Sequence, residues 1–469
     1  MTLTPVTSTQ QPDDDLRLFS PQYRALVIGV VGIVVAVAFE AIAVATAMPV
    51  AARELHGLRD YGLAFSVFLT TSLVGMVLAG EMSDRRGPVR PFTVAAVSFA
   101  AGLLVAGLAT SMWVLVVARA LQGFGAGLNI VSLYVVVGRA FPAALRPRVF
   151  SAISSGWILP SLVGPPVAGL LADHLSWRWV FLGVLPLLLG AALLVRPHLG
   201  DVDGPPAEGP PAPGRRSRLP AAVVTAAGAG VLQLGGQLLG SRPPVAAGLV
   251  AVGLALLAVG VPKLLPAGAF RLGRGLPTVV VLRGVLAGAF FGTETFIPLM
   301  LVEQRSLATT LAGASLTGAA LTWSLGAWLQ GRPGLRTPRW VLVTLGFVLV
   351  LGGIGLAAVA TSDSVPAATA AVGWVVAGLG MGLGLTSLSV LVLELSPPSE
   401  HGVNASALQV SDALGSIVMI GTAGAIFAGL TAGMPPGVRP FLVIDAVMAA
   451  VCVAGALVAH RVRPGADTR

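Results

Sequence analysis

Charge is what this chain has least of: only 10% of its 469 residues are Asp, Glu, Lys or Arg. With 55% hydrophobic residues and a mean hydropathy of +0.88, it has too little polar surface to dissolve as a globule. Cysteine is reduced to Cys452, inside an apolar run, which excludes a disulfide framework or a cysteine metal site. Aromatic residues make up 6%, and the basic residues stand at the ends of apolar runs. They form no patch interleaved with aromatics, so nucleic acid is not expected as a partner despite the net charge of +9. The N-terminal stretch, with Asp13, Asp14 and Asp15 ahead of Arg17, lacks the basic region and short apolar core of a cleaved signal peptide.

What is abundant is apolar length. Fourteen runs can each cross a hydrocarbon layer about 30 Å thick. They are Ala25–Val50, Leu63–Gly80, Phe92–Thr110, Val114–Ala140, Phe150–Ala172, Trp179–Val195, Leu219–Gly240, Pro244–Val261, Pro277–Val302, Leu307–Gln330, Trp340–Ala360, Ala367–Leu395, Asn404–Leu430 and Pro440–Val458. The 59 glycines would weaken soluble helices but suit membrane helices that pack backbone to backbone. His198–Arg218, rich in Pro and Gly and carrying Arg215, Arg216 and Arg218, reads as a flexible linker. The positions of Lys and Arg set the orientation. With both termini in the cytoplasm, as an even count requires, that side holds 21 basic residues and the outer loops hold 6, with Arg119 and Arg283 inside spans.

Residues 121–169 align with 376–424 without a gap, at a constant offset of 255, and 16 of the 49 positions are identical. Gly123/Gly378, Gly125/Gly380, Gly127/Gly382, Ser132/Ser387, Pro142/Pro397 and Gly169/Gly424 are among them. The chain is therefore two copies of one membrane unit, the signature of an alternating-access transporter. The expected organisation is a cytoplasmic tail (1–24), a six-helix bundle (25–196), a cytoplasmic linker (197–218), an inserted helix pair (219–262), a second six-helix bundle (263–459) and a cytoplasmic tail (460–469). No loop is long enough to house a separate soluble domain.

Four local patterns carry chemistry. After the second run come Gly80, Asp84, Arg85, Gly87 and Arg90. The glycines permit a tight turn, and a carboxylate there can accept backbone N–H groups at the start of another helix. Arg119 stands some five residues inside the fourth span, ahead of Gln122 and three glycines. It must face a cavity or a carboxylate, or snorkel to the outer interface. The glycines recur in the second half, which marks them as packing positions. The fifth run contains Pro160, Gly164-Pro165-Pro166 and Gly169, where prolines bend the helix and small residues admit a neighbour. Its repeat counterpart is Met419-Ile420, so the kink belongs to one half only.

Glu40, followed by Thr46 and Pro49, is a lone membrane carboxylate, either a proton-binding group or a structural partner for a neighbour. Glu294, flanked by Thr293 and Thr295 and followed by Pro298, lies 254 residues beyond it. That separation is within one residue of the repeat offset. Asp412 ends a polar stripe with Asn404, Ser406, Gln409 and Ser411, where cavity lining and inter-helix hydrogen bonding fit equally. Asp445, and Glu394 near the inner end of the twelfth span, are the remaining acids within spans, and a solvated or gate-pairing role is expected for Glu394.

These motifs, in this order, resemble those of the major facilitator superfamily over about Ala25 to Val458, and especially its fourteen-helix drug:proton antiporter branch. The resemblance implies an all-α polytopic membrane protein of two pseudo-symmetric six-helix bundles plus an inserted pair. It implies that Asp84, in the loop of Gly80, Arg85, Gly87 and Arg90, latches onto the start of the thirteenth span in the outward-facing state. It also implies that Arg119 serves proton coupling and that Gly164, Pro165 and Gly169 form the kink found mainly in exporters. Glu40 stands where the branch has an Asp. Ile42 and Ala45 depart from its Thr and Asn, Pro160 replaces the first glycine of the kink motif, and Pro88-Val89 stands where a basic pair is frequent.

The expected function is secondary active transport in a bacterial cytoplasmic membrane, without catalysis. Protons, carried by Glu40 with Arg119, would exchange for hydrophobic or cationic small molecules. Glu294, Gln122, Asp412 and Gln409 would line the cavity, with no cofactor beyond the proton gradient, membrane lipids as neighbours and a monomeric state. Export of a lipid or an endogenous metabolite on the same fold is the alternative. A membrane-embedded transferase would need catalytic His and Asp clusters that these short loops do not supply, and a channel would not need duplicated halves.

Overall fold

A computed structural model describes residues 18–142, 145–202, 217–238, 242–330, 337–397, 401–431 and 437–463. Among these residues the regular structure is helical, with no strand. The first half contains α1 (Arg24–Glu54), α2 (Tyr61–Arg86), α3 (Val89–Gly107), α4 (Met112–Ala140), α5 (Arg146–His174), and α6 (Trp179–Leu182) with α7 (Val184–Val195) as one interrupted span. The inserted pair is α8 (Leu219–Leu238) and α9 (Pro243–Gly260). The second half contains α10 (Leu276–Glu294) with α11 (Ile297–Arg305), α12 (Thr309–Gln330), α13 (Arg339–Val359), α14 (Ala368–Glu394), α15 (His401–Leu430) and α16 (Arg439–Val458). Among the described residues, thirteen stretches are apolar and long enough to span a membrane. The fourteenth, α12, falls outside that set because Thr309, Thr310, Ser315, Thr317, Thr322 and Ser324 dilute its hydropathy.

Local chemistry sets the boundaries. Gly87, at φ 76°, turns the chain out of α2 into Pro88. Ser111 caps α4 by accepting from the Val114 amide at 3.4 Å. The break between α10 and α11 falls just before Pro298, which has no N–H to continue the ladder. The chain after α7 winds into a 3-10 turn, Arg196–Val202, with Leu199 buried. Most of the linker (203–216), including Arg215 and Arg216, lies outside the described residues, as do Asp13, Asp14, Asp15 and Arg17.

The duplication is visible as a repeated packing scheme. In the first half α1 packs on α5 and α7, and α4 lies against α2 and α3; in the second α10 packs on α15 and α16, and α14 lies against α12 and α13. The repeated glycines make these contacts. A Cβ on Gly123 would come within 2.0 Å of the Phe68 carbonyl of α2, and one on Gly378 within 2.2 Å of the Ala319 carbonyl of α12. Backbone-to-backbone approach of this kind is what small residues permit. The halves meet chiefly through two crossed pairs, α5 with α12 and α2 with α15, and α1 adds contacts to α11 and α12. Of the inserted pair, α8 packs on α2 and α15, while α9 packs on α8.

Candidate functional site

Halfway along α1, Glu40 is fully buried and receives the Arg119 guanidinium from α4 in an ion pair. Arg119 also donates from Nη1 to Gln122 Oε1 at 2.7 Å and from Nε to the Ala64 carbonyl at 3.2 Å. Its guanidinium carbon lies 4.3 Å from the centre of the Phe68 ring. The snorkelling alternative for Arg119 is thus not realised, because its side chain is 3% exposed. Three helices of one half hold this charge. Thr46, a turn and a half further along α1, meets α12 of the other half at Gly313, where a Cβ would touch its side chain at 2.2 Å. The kink segment flanks the same stretch, with Gly164 facing Phe39 and Ile42. Gly169 meets the backbone of Thr310 across the halves.

The second half builds a different cluster. Arg283 of α10 donates to Asp412 Oδ2 at 2.9 and 2.7 Å, to Ser389 Oγ at 3.0 Å and to the Leu385 carbonyl at 3.1 Å. Gln409, on the same helix as Asp412, is exposed. Glu294 is held within its own half, accepting from Trp374 Nε1 at 3.3 Å. Phe290 stacks on Trp374 at 4.9 Å, and Trp323 meets Phe290 edge-on at 5.8 Å, so the carboxylate stands beside an aromatic cluster.

At the end of the bundle remote from the chain termini, side chains tie the halves together. Asp173, at the end of α5, accepts from the Thr310 amide at 2.9 Å, the Thr310 hydroxyl at 2.7 Å and the Thr309 amide at 3.3 Å. It thereby caps the start of α12. Tyr61 donates to the Thr295 carbonyl at the α10–α11 break, at 2.9 Å. Arg53 pairs with Glu303, and Gly62 meets Gly424 backbone to backbone.

At the opposite end, Gly80 has open space around it, Arg85 and Arg90 are exposed, and Arg85 lies 3.9 Å from Glu81. The Asp84 side chain lies outside the described residues. The carboxylate seen at a helix start is its neighbour Glu81, which accepts from Ser217 Oγ at 2.6 Å and from the amides of Arg218 and Leu219 at 3.1 Å. That start is α8, the inserted pair.

Sequence reasoning passed over Tyr61, Asp173 and Glu81, and noted Arg283 only as a charge inside a span. An interior Arg and an interior Asp in the same half were signal enough to pair Arg283 with Asp412. Nothing local marks Tyr61 or Asp173, whose partners are more than 130 residues away.

The sequence pattern described as Major Facilitator Superfamily matches residues 28–420. A protein of Mycobacterium tuberculosis named "Probable multidrug-efflux transporter" is 27% identical over 424 residues, covering 87% of this chain and 88% of that one. The multidrug transporter protein MdtP of Bacillus subtilis is 29% identical over 169 residues, 35% of this chain and 31% of its own. Among solved structures, a POT family transporter in complex with 5-aminolevulinic acid superposes with a TM-score of 0.68 at 15% identity, over 94% of this chain and 97% of that one. This last likeness is one of fold. With duplicated helical halves, spans throughout and a family match across most of its length, the chain belongs to the Major Facilitator Superfamily and is a multi-pass membrane transporter, not an enzyme.

Proposed function

We propose that the protein is a proton-coupled exporter of hydrophobic compounds, cationic ones in particular. The observation that carries this reading is the Glu40–Arg119 pair, an acid and a base buried inside the first bundle, one on α1 and the other on α4. A proton arriving on Glu40 removes the charge that holds Arg119, and the two helices are then free to shift. Loss of the proton restores the tie. Bound ions that lock and release packed helices are a physical route from a proton gradient to alternating access.

Glu294, beside the Trp374, Phe290 and Trp323 cluster, is proposed to supply the charge that favours an organic cation. Gln122, Asp412 and Gln409 are proposed as further polar positions along the path. The kink of Gly164, Pro165 and Gly169 is proposed as the segment that lets α5 move against α12. Asp84 keeps its proposed role as a latch in the outward-facing state. With the basic loops cytoplasmic, as proposed, the Asp173 and Tyr61 ties would close the outer face. The names of the relatives support export of drug-like compounds.

Transport into inside-out vesicles with an imposed pH gradient, using a hydrophobic cationic dye, tests the reading. Accumulation that collapses with the gradient is expected. Uptake indifferent to the gradient would overturn the coupling, and gradient-driven movement of a lipid or metabolite but no dye would overturn the substrate class.

A further inference from the structure

Between the inserted pair and the second half lies a cavity of about 300 Å³ that no step of export uses. Its walls are Leu232 on α8, Val250 on α9, and Ile417, Val418 and Ile426 on α15, with no ionisable residue in the lining. Two polar side chains line it: Thr422, whose hydroxyl donates to the Val418 carbonyl of its own helix at 2.8 Å, and Gln233. Gln233 is 6% exposed, and its Oε1 accepts from Ser66 Oγ at 2.9 Å, which fixes the amide plane. Its Nε2 has no partner among the described residues. A buried donor left unmatched is costly, and native proteins rarely leave one so. The cavity therefore suits a molecule that is apolar along its length and offers a single acceptor.

Depth and charge identify that molecule. Gln233 is five residues short of the end of α8, about 8 Å by helical rise. At that end stand two exposed cations. Arg59 donates to the Gln237 carbonyl at 3.5 Å, and Arg242 precedes the first turn of α9. Cation at the helix end, donor one to two turns deeper and apolar walls beyond follow the order of phosphate, ester and acyl chain in a phospholipid. We propose that this cavity is a phospholipid site, in which an acyl chain lies between α8, α9 and α15 and Gln233 donates from Nε2 to the ester carbonyl. Arg59 and Arg242 attract the phosphate. A transported cation would find no counter-charge here.

The test uses the full chain in phosphatidylglycerol–phosphatidylethanolamine vesicles containing phosphatidylglycerol with a diazirine in its acyl chain, with adducts mapped by mass spectrometry. Labelling concentrated in the cavity segments of α8 and α15 is expected. Gln233→Leu should lower it about fivefold, the worth of one hydrogen bond, and Val418→Phe should remove it by filling the space. Ser66→Ala breaks the same inter-helix bond but leaves the Nε2 donor, so it should keep the labelling. Wild-type adducts spread evenly over the bilayer-facing helices would overturn the site. Equal loss in Ser66→Ala and Gln233→Leu would reduce Gln233 to a packing residue. Cavity labelling that a hydrophobic cationic dye displaces, and unlabelled phosphatidylglycerol does not, would make this a port for exported compounds and end the lipid assignment. Should Val418→Phe fail to fold, the wild-type map and the Ser66/Gln233 contrast decide alone.

Discussion

The two halves each bury an arginine seven residues into a helix, Arg119 in α4 and Arg283 in α10, and treat it differently. α4 and α10 run in opposite directions, so one guanidinium sits about 10 Å below the tied end and the other about 10 Å from the opposite end. Arg119 and Glu40 are 3% and 0% exposed; Arg283 and Asp412 are 12% and 22% exposed. Both arginines also reach a side-chain acceptor and a backbone carbonyl, Arg119 at Gln122 and Ala64 and Arg283 at Ser389 and Leu385, so what separates the pairs is access to water. Losing one partner of a pair cut off from water leaves an uncompensated buried charge. At a pair that water can reach, solvent takes up part of that loss. Duplication supplied the scaffold twice, and the chemistry then diverged.

The sharpest way to break that contrast is at Glu40. Glu40→Ala leaves Arg119 as an unpaired buried charge and is expected to destabilise the protein by about 3–5 kcal/mol, read by thermal unfolding in detergent. Glu40→Gln keeps a carbonyl acceptor for Arg119, so folding and insertion survive while uphill, pH-driven efflux disappears. Wild-type efflux in that variant would sink the coupling role.

Next in size is the tied end. Asp173→Asn weakens the charge-assisted cap on α12, by about 1–2 kcal/mol at this exposed site. That is close to a tenfold shift in a two-state population. Cysteine probes at the tied end should label faster and those at the other end slower, and unchanged accessibility would rule Asp173 out as a gate residue. Asp412→Asn should lose about 1 kcal/mol or less, because the pair is partly solvated. Turnover should slow while the pH dependence of efflux remains. Abolished coupling in this variant would mean that the two pairs do the same work. The smallest effect is expected at Glu294. Glu294→Gln should reduce efflux of cationic compounds a few-fold more than that of neutral ones, and equal loss for both would remove its selectivity role.

Much of this was legible beforehand where the signal is local. Apolar length placed the helix ends within a few residues, as at α4 and α7, and the repeated glycines marked which faces meet. Glu40 and Arg119 each stood out because a charge in hydrocarbon needs a reason. Their pairing did not, since it depends on how α1 and α4 lie side by side, 79 residues apart in the chain. Glu294 shows the limit of reasoning from the offset: its place in the repeat suggested a twin of Glu40, but Trp374 in its own half holds it. At the loop after α2 the motif drew attention to Asp84, while Glu81, outside the pattern, caps α8. A motif records what a family shares and is silent on contacts an inserted element adds.

The attachment of α8 has a consequence for how the protein is made. Among the described residues, the hydrogen bonds that tie α8 and its approach to a six-helix bundle reach α2 or the turn just before it: Glu81 at one end, Ser66 with Gln233 further along, and Arg59 with Gln237 beyond. Toward α15 it offers close packing of small residues, Gly236 on Ala425. The ribosome completes α2 and α8 well before α15 begins. The inserted pair can therefore dock on the first half while the second is still being synthesised, and α15 then arrives at a wall already standing. Cysteines placed at 66 and 233 should form a disulfide in nascent chains stalled before residue 276, and only after completion if docking waits for α15.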